Sequence, residues 1–80
     1  MQIEIKLLIQ LKQYLPKPDS GKSSRFLEIA EPATVKDVLQ KLGIPLDMPK
    51  VIMINQRQGT IDDDLAPLDR LTIFPPVGGG

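Results

Sequence analysis

The last residues of this chain carry little side-chain bulk and form a tether that ends in a carboxylate. The sequence closes with Pro75, Pro76, Val77, Gly78, Gly79 and Gly80. Proline has no backbone N–H and a fixed φ, so the proline pair ends a strand and favours an extended path. Fully extended, the tail reaches up to about 20 Å. Because glycine lacks a Cβ, neither entry into a narrow site nor attack at the Gly80 carbonyl is hindered.

Composition alone leaves two interpretations of this tail open. Chain ends are commonly disordered, and a run of glycines is also typical of an expression-vector remnant. Under the other interpretation, the Gly80 carboxylate is the reacting group of the protein.

Other reactive groups are scarce. The chain has no cysteine and no histidine. Disulfides, thiolate or imidazole metal sites, a cysteine nucleophile and a Ser-His-Asp triad are therefore excluded. The one dense acidic cluster is Asp62-Asp63-Asp64, and consecutive carboxylates do not converge on a point, so a solvated turn is favoured over a metal cage. We predict no catalytic side chain and no metal site.

Size and charge indicate one small domain that binds neither nucleic acid nor a membrane. Eighty residues correspond to a single domain, and ten Lys+Arg balance ten Asp+Glu. This balance gives no electrostatic footprint for nucleic acid or for an anionic membrane. No apolar run is long enough to span a bilayer, and the alternating N-terminus does not have the pattern of a signal peptide. We therefore expect a cytoplasmic protein.

The N-terminal segment has the alternation of a half-buried strand. The apolar residues at every second position are Ile3, Ile5, Leu7, Ile9 and Leu11. Leu8 interrupts the polar face of this strand. Residues 10–15 are compatible with a short helical turn before Pro16, and the prolines, glycine and serines that follow indicate a loop up to Ser24.

The strongest helix signal begins at Thr34, a favoured N-cap with Asp37 three residues later. The apolar stripe that follows is Val35, Val38, Leu39 and Leu42. Gly43 stands where a left-handed residue ends a helix, and Pro45 prevents its continuation.

Further strands are predicted on either side of this helix. They are Arg25–Ile29, the continuous apolar run Val51–Asn55 as a strand covered on both faces, a short strand within 60–64, and Asp69–Phe74. The order predicts an α+β protein with the ubiquitin-like β-grasp fold: a mixed four- to five-stranded sheet with one main helix packed on one face. The first and last strands are expected to pair. Residues 1–74 form this domain, and residues 75–80 form a flexible Gly-Gly tail.

The C-terminal sequence LTIFPPVGGG, behind an alternating N-terminal strand and the segment TVKDVLQKLG, resembles the MoaD/ThiS sulfur carriers. The resemblance covers essentially the whole chain, and the tail is its specific part. The tail, the chain length and the additional Lys12–Ser24 segment are closer to MoaD, the small subunit of molybdopterin synthase. Gly78 departs from the small alanine or serine usual there, and a triple glycine also occurs among ThiS-like carriers.

The resemblance implies a sulfur carrier rather than an enzyme, with no bound cofactor. A MoeB/ThiF-like activating enzyme would use ATP and Mg²⁺ to adenylate Gly80, and a persulfide-derived sulfur would convert it to a thiocarboxylate. A MoaE-like large subunit would then receive the sulfur for molybdopterin. ThiS-like delivery for thiamine thiazole, a ubiquitin-like modifier that forms isopeptide bonds, and an interaction module with an inert tail are the alternatives.

A docking surface is expected beside the tail. Phe74 leads into Pro75, and Leu8 lies on the polar side of the first strand. If the first and last strands pair, both side chains share one open face, where an apolar patch marks a partner site. The alternative is that Phe74 belongs to the core, because its register is not fixed by the sequence.

Overall fold

The computed structural model describes residues 1–15 and 24–76, and the elements below lie within them. In chain order they are β1 (Gln2–Leu7), a 3-10 helix (Ile9–Tyr14), β2 (Ser24–Glu28), β3 (Ala33–Thr34), α1 (Val35–Leu42), β4 (Val51–Ile54), β5 (Arg57–Gln58), β6 (Asp64–Leu65) and β7 (Arg70–Phe74).

Five of the strands form one mixed sheet in the order β2-β1-β7-β4-β5. β1 and β7 are parallel, and the other neighbours are antiparallel. β3 and β6 form a separate two-stranded sheet. The predicted pairing of the first and last strands is confirmed, and so is the mixed sheet with one main helix of a β-grasp fold.

The core lies between α1 and one face of the sheet. Its fully buried members include Ile3, Ile5, Leu7, Val35, Val38, Leu39, Ile54, Leu71 and Ile73. Because side chains alternate along a strand, the residues between the buried ones lie on the opposite face. We call this second face, which points away from α1, the open face.

β1 is shorter than the alternating pattern predicts. It ends at Leu7, and Ile9 and Leu11 belong to the 3-10 helix, in agreement with the helical turn anticipated before Pro16. Leu11 is nonetheless buried, at 2% exposure, whereas Ile9 is 64% exposed. The extension of the strand to Leu11 was wrong because Ile9 adopts a φ of +58°, which turns the chain out of the sheet.

Among the described residues, β4 is buried on one face only, so the prediction that both faces are covered was wrong. Ile52 and Ile54 are buried, whereas Val51 and Met53 are half-buried on the open face. β4 is still an interior strand, with β7 and β5 as neighbours. Two apolar residues on the open face therefore complete a continuous apolar run, although none of the described helices and strands packs over them.

β2 and β6 are displaced by one residue or more from their predicted positions. β2 is Ser24–Glu28, and β6 is Asp64–Leu65. Leu27 is buried in β2 and Phe26 is 63% exposed, which settles the register that the pair of apolar residues left open.

α1 begins and ends as its sequence predicts. The Thr34 backbone N–H donates to Asp37 Oδ2 at 2.8 Å, and the Asp37 N–H donates to Thr34 Oγ1, which together form a capping box. Gly43 has a φ of +82°, and its N–H donates to the Gln40 and Leu39 carbonyls. A Cβ at this position would meet no atom within 4 Å.

We expect Gly43→Ala to lower the free energy of unfolding by about 1 kcal/mol, because a left-handed φ is strained for residues with a Cβ. Gly43→Asn is expected to lose less, since asparagine tolerates this conformation. Urea unfolding of both variants measures the difference. An alanine variant as stable as the wild type would contradict the left-handed helix end.

Candidate functional site

The tail leaves the domain at an edge of the sheet where β1, β4 and β7 meet. Parallel pairing brings the C-terminal ends of β1 and β7 to the same edge, and antiparallel β4 begins there, with Val51 opposite Phe74. The Leu8 N–H donates to the Ile73 carbonyl at 3.2 Å, one residue beyond the end of β1. After Phe74 the chain leaves the sheet through half-buried Pro75 and exposed Pro76.

Phe74 and Leu8 both lie on the open face at this edge. Leu7 is paired with Ile73, and both are fully buried, so the next residue of each chain segment points to the other side of the sheet. Phe74 and Leu8 are half-buried, and neither belongs to the buried core. We call Leu8, Val51 and Phe74 the tail-side patch. Phe74 is therefore a residue of the open face and not of the core.

Along β1 and β7 the open face is polar away from the tail. Lys6 pairs with Thr72, and one row further along Glu4 pairs with Arg70. Arg70 Nε donates to Glu4 Oε1 at 2.9 Å, in an ion pair whose arginine side chain is 57% exposed. Such an exposed ion pair contributes little to stability. An open depression of about 370 Å³, lined in part by these two residues and Leu68, lies at this far end and not at the tail.

The residues of the acidic cluster make separate local contacts. Asp62 and Asp64 are exposed, and Asp63 Oδ2 accepts the Thr60 N–H at 2.7 Å and lies 3.8 Å from Arg57. Within residues 1–15 and 24–76, no group of three or more acidic side chains is arranged to hold a metal ion. No helix in this part of the chain is long and apolar enough to cross a membrane.

The sequence also identifies the family of the chain. Residues 12–80, which include the glycine tail, match the ThiS family. The chain belongs to the ThiS family. Its members are small ubiquitin-like sulfur carriers rather than enzymes. No curated protein matches the chain.

Solved structures share the fold of this ThiS-family chain at low sequence identity. SAMP1 from Haloferax volcanii has a TM-score of 0.74 and 23% identity over 100% of both chains. A second structure, of H. volcanii small archaeal modifier protein 1, has a TM-score of 0.73 and 21% identity over 95% of this chain and 98% of that chain. A Pyrococcus furiosus protein assigned as subunit 1 of molybdopterin converting factor has a TM-score of 0.72 and the same identity and coverage.

Four of the predicted site residues lie outside the described part of the ThiS-family chain. They are Val77, Gly78, Gly79 and Gly80. Pro75, Phe74 and Leu8 are brought together at the edge described above, with Pro76 following. The roles of all of these residues in docking and sulfur transfer stay predictions.

Sequence analysis missed Ile9, which it placed on the buried side of a strand. The signal that was available is the adjacent pair Leu7-Leu8, which breaks the alternation one residue before Ile9. After such a break, the alternation of apolar residues no longer predicts on which face of the sheet a side chain lies.

Lys50 was also missed, and it stands immediately before β4 at the tail edge. Its Nζ donates to the Leu46 and Met48 carbonyls, at 3.1 and 2.5 Å. Burial lowers the pKa of Lys50 below the usual value for a lysine, and the Asp47 carboxylate acts in the opposite direction. Lys50 therefore fixes the loop that borders the tail-side patch.

Proposed function

We propose that this ThiS-family chain is a sulfur carrier of the MoaD type, in which Gly80 is adenylated, converted to a thiocarboxylate and used in molybdopterin synthesis. The observation that carries this proposal is the family match through residue 80, on a fold whose last strand ends beside an accessible apolar patch. A carrier needs both the slim tail and the patch. The tail enters the active site of a partner enzyme, and the patch binds the surface of that enzyme.

Activation is required because a carboxylate is a poor acyl donor. A Gly80 carboxylate oxygen attacks the α-phosphorus of ATP, pyrophosphate leaves, and an acyl-adenylate forms. Mg²⁺ in the activating enzyme neutralises charge on the phosphates. The terminal sulfur of a persulfide on a partner enzyme then attacks the Gly80 carbonyl carbon, and AMP leaves, which gives an acyl disulfide. A thiol of the partner attacks the S–S bond of this intermediate, so that a disulfide forms on the partner and the thiocarboxylate leaves with the electron pair. A MoeB/ThiF-like partner is the proposed activating enzyme.

This division of labour is consistent with the chain's lack of cysteine and histidine. General acid–base and nucleophilic groups would come from the partners, and the carrier contributes its terminus and its docking surface. Lys50, whose ammonium is held by backbone carbonyls, borders the exit of the tail and is not assigned a chemical role.

A second candidate function is protein modification. The structural neighbour SAMP1 is named a small archaeal modifier protein, although 21–23% identity supports only the shared fold. A modifier would use the same adenylation and then form an isopeptide bond between Gly80 and a lysine. Its signature is a set of lysine-linked conjugates after the activating enzyme and ATP are added.

Reconstitution with the acceptor decides which pathway receives the sulfur. Thiocarboxylated carrier is mixed with a MoaE-like large subunit and the pterin precursor, and molybdopterin is measured. The proposal predicts molybdopterin with the wild type and none with carrier that ends at Gly78. Thiocarboxylate formation without molybdopterin, but with thiazole synthesis in the corresponding thiamine system, would assign the chain to the ThiS-like alternative instead.

A further inference from the structure

Ile9 combines two properties that are rarely found together. It is a β-branched residue in the left-handed region, with a φ of +58°, and its side chain is 64% exposed. Left-handed φ values are sterically unfavourable for β-branched side chains. Because the Ile9 side chain is exposed, no burial of apolar surface within the fold offsets this steric cost. Glycine or asparagine would suit this backbone better. Folding therefore does not explain an isoleucine at this position.

The neighbours of Ile9 explain its backbone but not its side chain. The Leu8 N–H is held by the Ile73 carbonyl, and the Leu11 N–H donates to the Leu8 carbonyl at 3.2 Å. Leu11 and Leu15, at 2% and 3% exposure, anchor the 3-10 helix in the core. The chain must turn sharply between the end of β1 and these anchors, and Ile9 is the residue at which it turns.

Ile9 also lies at the edge from which the tail leaves. It directly follows Leu8 of the tail-side patch, and the 3-10 helix that it opens contacts β7. The four residues after Pro76 reach at most about 14 Å when fully extended. An enzyme that encloses the Gly80 carboxylate must therefore bring its own surface close to this edge of the sheet.

We propose that Ile9 is a docking residue whose exposed side chain inserts into an apolar pocket of the enzyme that adenylates Gly80. This inference rests on the proposed function, because it assigns the partner of the same tail. Ile9 directly follows Leu8 of the tail-side patch, so an enzyme surface brought close to this edge can contact both residues. The contact is made before and during adenylation alike, so it lowers the carrier's KM and leaves kcat unchanged.

ATP–pyrophosphate exchange by the MoeB/ThiF-like enzyme, with the full-length carrier titrated, measures this contact without a sulfur source. For Ile9→Asn we expect the carrier's KM to rise about tenfold or more, as for loss of an interface anchor, with kcat unchanged. The same variant is expected to melt about 4 °C higher than the wild type, because asparagine tolerates the left-handed backbone. A residue needed for folding would move the melting temperature in the opposite direction.

Leu68 provides a matched control. It too has a positive φ, +68°, and is 71% exposed, but its N–H donates to the Gln2 carbonyl at the opposite end of β1. Leu68→Asn is expected to raise the melting temperature and leave the KM unchanged. Ile9→Val, which keeps a branched apolar side chain, is expected to retain a KM within about fourfold of the wild type, since only one methylene is removed from the pocket contact.

The outcomes separate this inference from the proposed function. Exchange by the wild type, with the same KM for Ile9→Asn, would overturn the inference alone. A lower melting temperature for Ile9→Asn would assign Ile9 to the fold and would also overturn it, as would an equal rise in KM for Leu68→Asn. No exchange with the wild-type carrier would refute the proposed adenylation, and the inference with it.

Discussion

Removal of Gly79 and Gly80 is expected to abolish thiocarboxylate formation while the domain stays folded. Truncation withdraws the carboxylate by about 7 Å along an extended chain. A misplacement of about 1 Å can already cost about 100-fold in rate, so the adenylation of truncated carrier should fall below detection. The strands and helix that form the core end at Phe74, so the melting temperature should not change. Mass spectrometry and thermal unfolding measure the two quantities.

Two further variants separate the effect of tail length from the effect of side-chain size at the C-terminus. Deletion of Gly80 alone leaves a Gly-Gly end that is one residue shorter, and it is expected to lose at least about 100-fold in adenylation because the carboxylate is misplaced. Gly80→Ala keeps the length and adds a Cβ beside the reacting carbonyl, which hinders attack. Full activity of the carrier that ends at Gly78, in any reconstituted system, would mean that the tail is inert and the chain an interaction module.

Phe74→Asp is expected to prevent productive docking on the activating enzyme. The variant places a charge in the centre of the tail-side patch, and central aromatic anchors typically contribute about 2–4 kcal/mol to an interface. This corresponds to a rise in the carrier's KM of about 30-fold or more. Because Phe74 is half-buried and outside the core, the loss of folding stability should be about 1–2 kcal/mol. Pyrophosphate exchange and urea unfolding measure the two effects.

The second phenylalanine of the chain provides the control. Phe26 lies on the same open face of β2, opposite Glu4, and is 63% exposed. Its row of the sheet contains Arg70, which is four residues and about 13 Å from Phe74 along β7. Phe26→Asp should leave the KM unchanged. Global unfolding of Phe74→Asp, with Phe26→Asp still folded, would assign Phe74 to the core and contradict the docking role.

Signals that act within a few residues predicted local structure well. The cap at Thr34 and the left-handed end at Gly43 fixed α1, because a helix end must satisfy its own backbone groups with nearby atoms. The pairing of β1 with β7 could also be anticipated, from a strongly apolar first strand that needs interior neighbours.

Periodicity was least reliable where one face of an element stays uncovered. Ile9 continues the alternation of β1 in the sequence but turns away at a positive φ, which a pattern of apolar residues does not record. Val51 and Met53 extend the apolar run of β4, although nothing among the described residues packs over them. Both misassignments concern apolar side chains outside the buried core, and partner proteins bind at apolar surface of that kind.

The positions of the candidate site residues could be predicted from the sequence pattern, whereas the reaction at the site could not. Phe74 and Leu8 were placed together because pairing of the terminal strands and the alternation of side chains require it. The proposed reaction at Gly80 follows from no contact among the described residues, because the proposal takes its ATP, its sulfur and its acid–base groups from other proteins. Family membership and the slim tail support it, and only a reconstituted reaction tests it.

The most direct test is the intact mass of the carrier after incubation with the MoeB/ThiF-like enzyme, ATP, Mg²⁺ and a sulfur source. Replacement of one terminal oxygen by sulfur adds the mass difference of the two atoms, and fragmentation of the C-terminal peptide locates it. We predict this increment at Gly80 in the wild type and none in the carrier that ends at Gly78. An unchanged mass with an activating enzyme that modifies its own known carrier in parallel would contradict the assignment of this chain as a sulfur carrier.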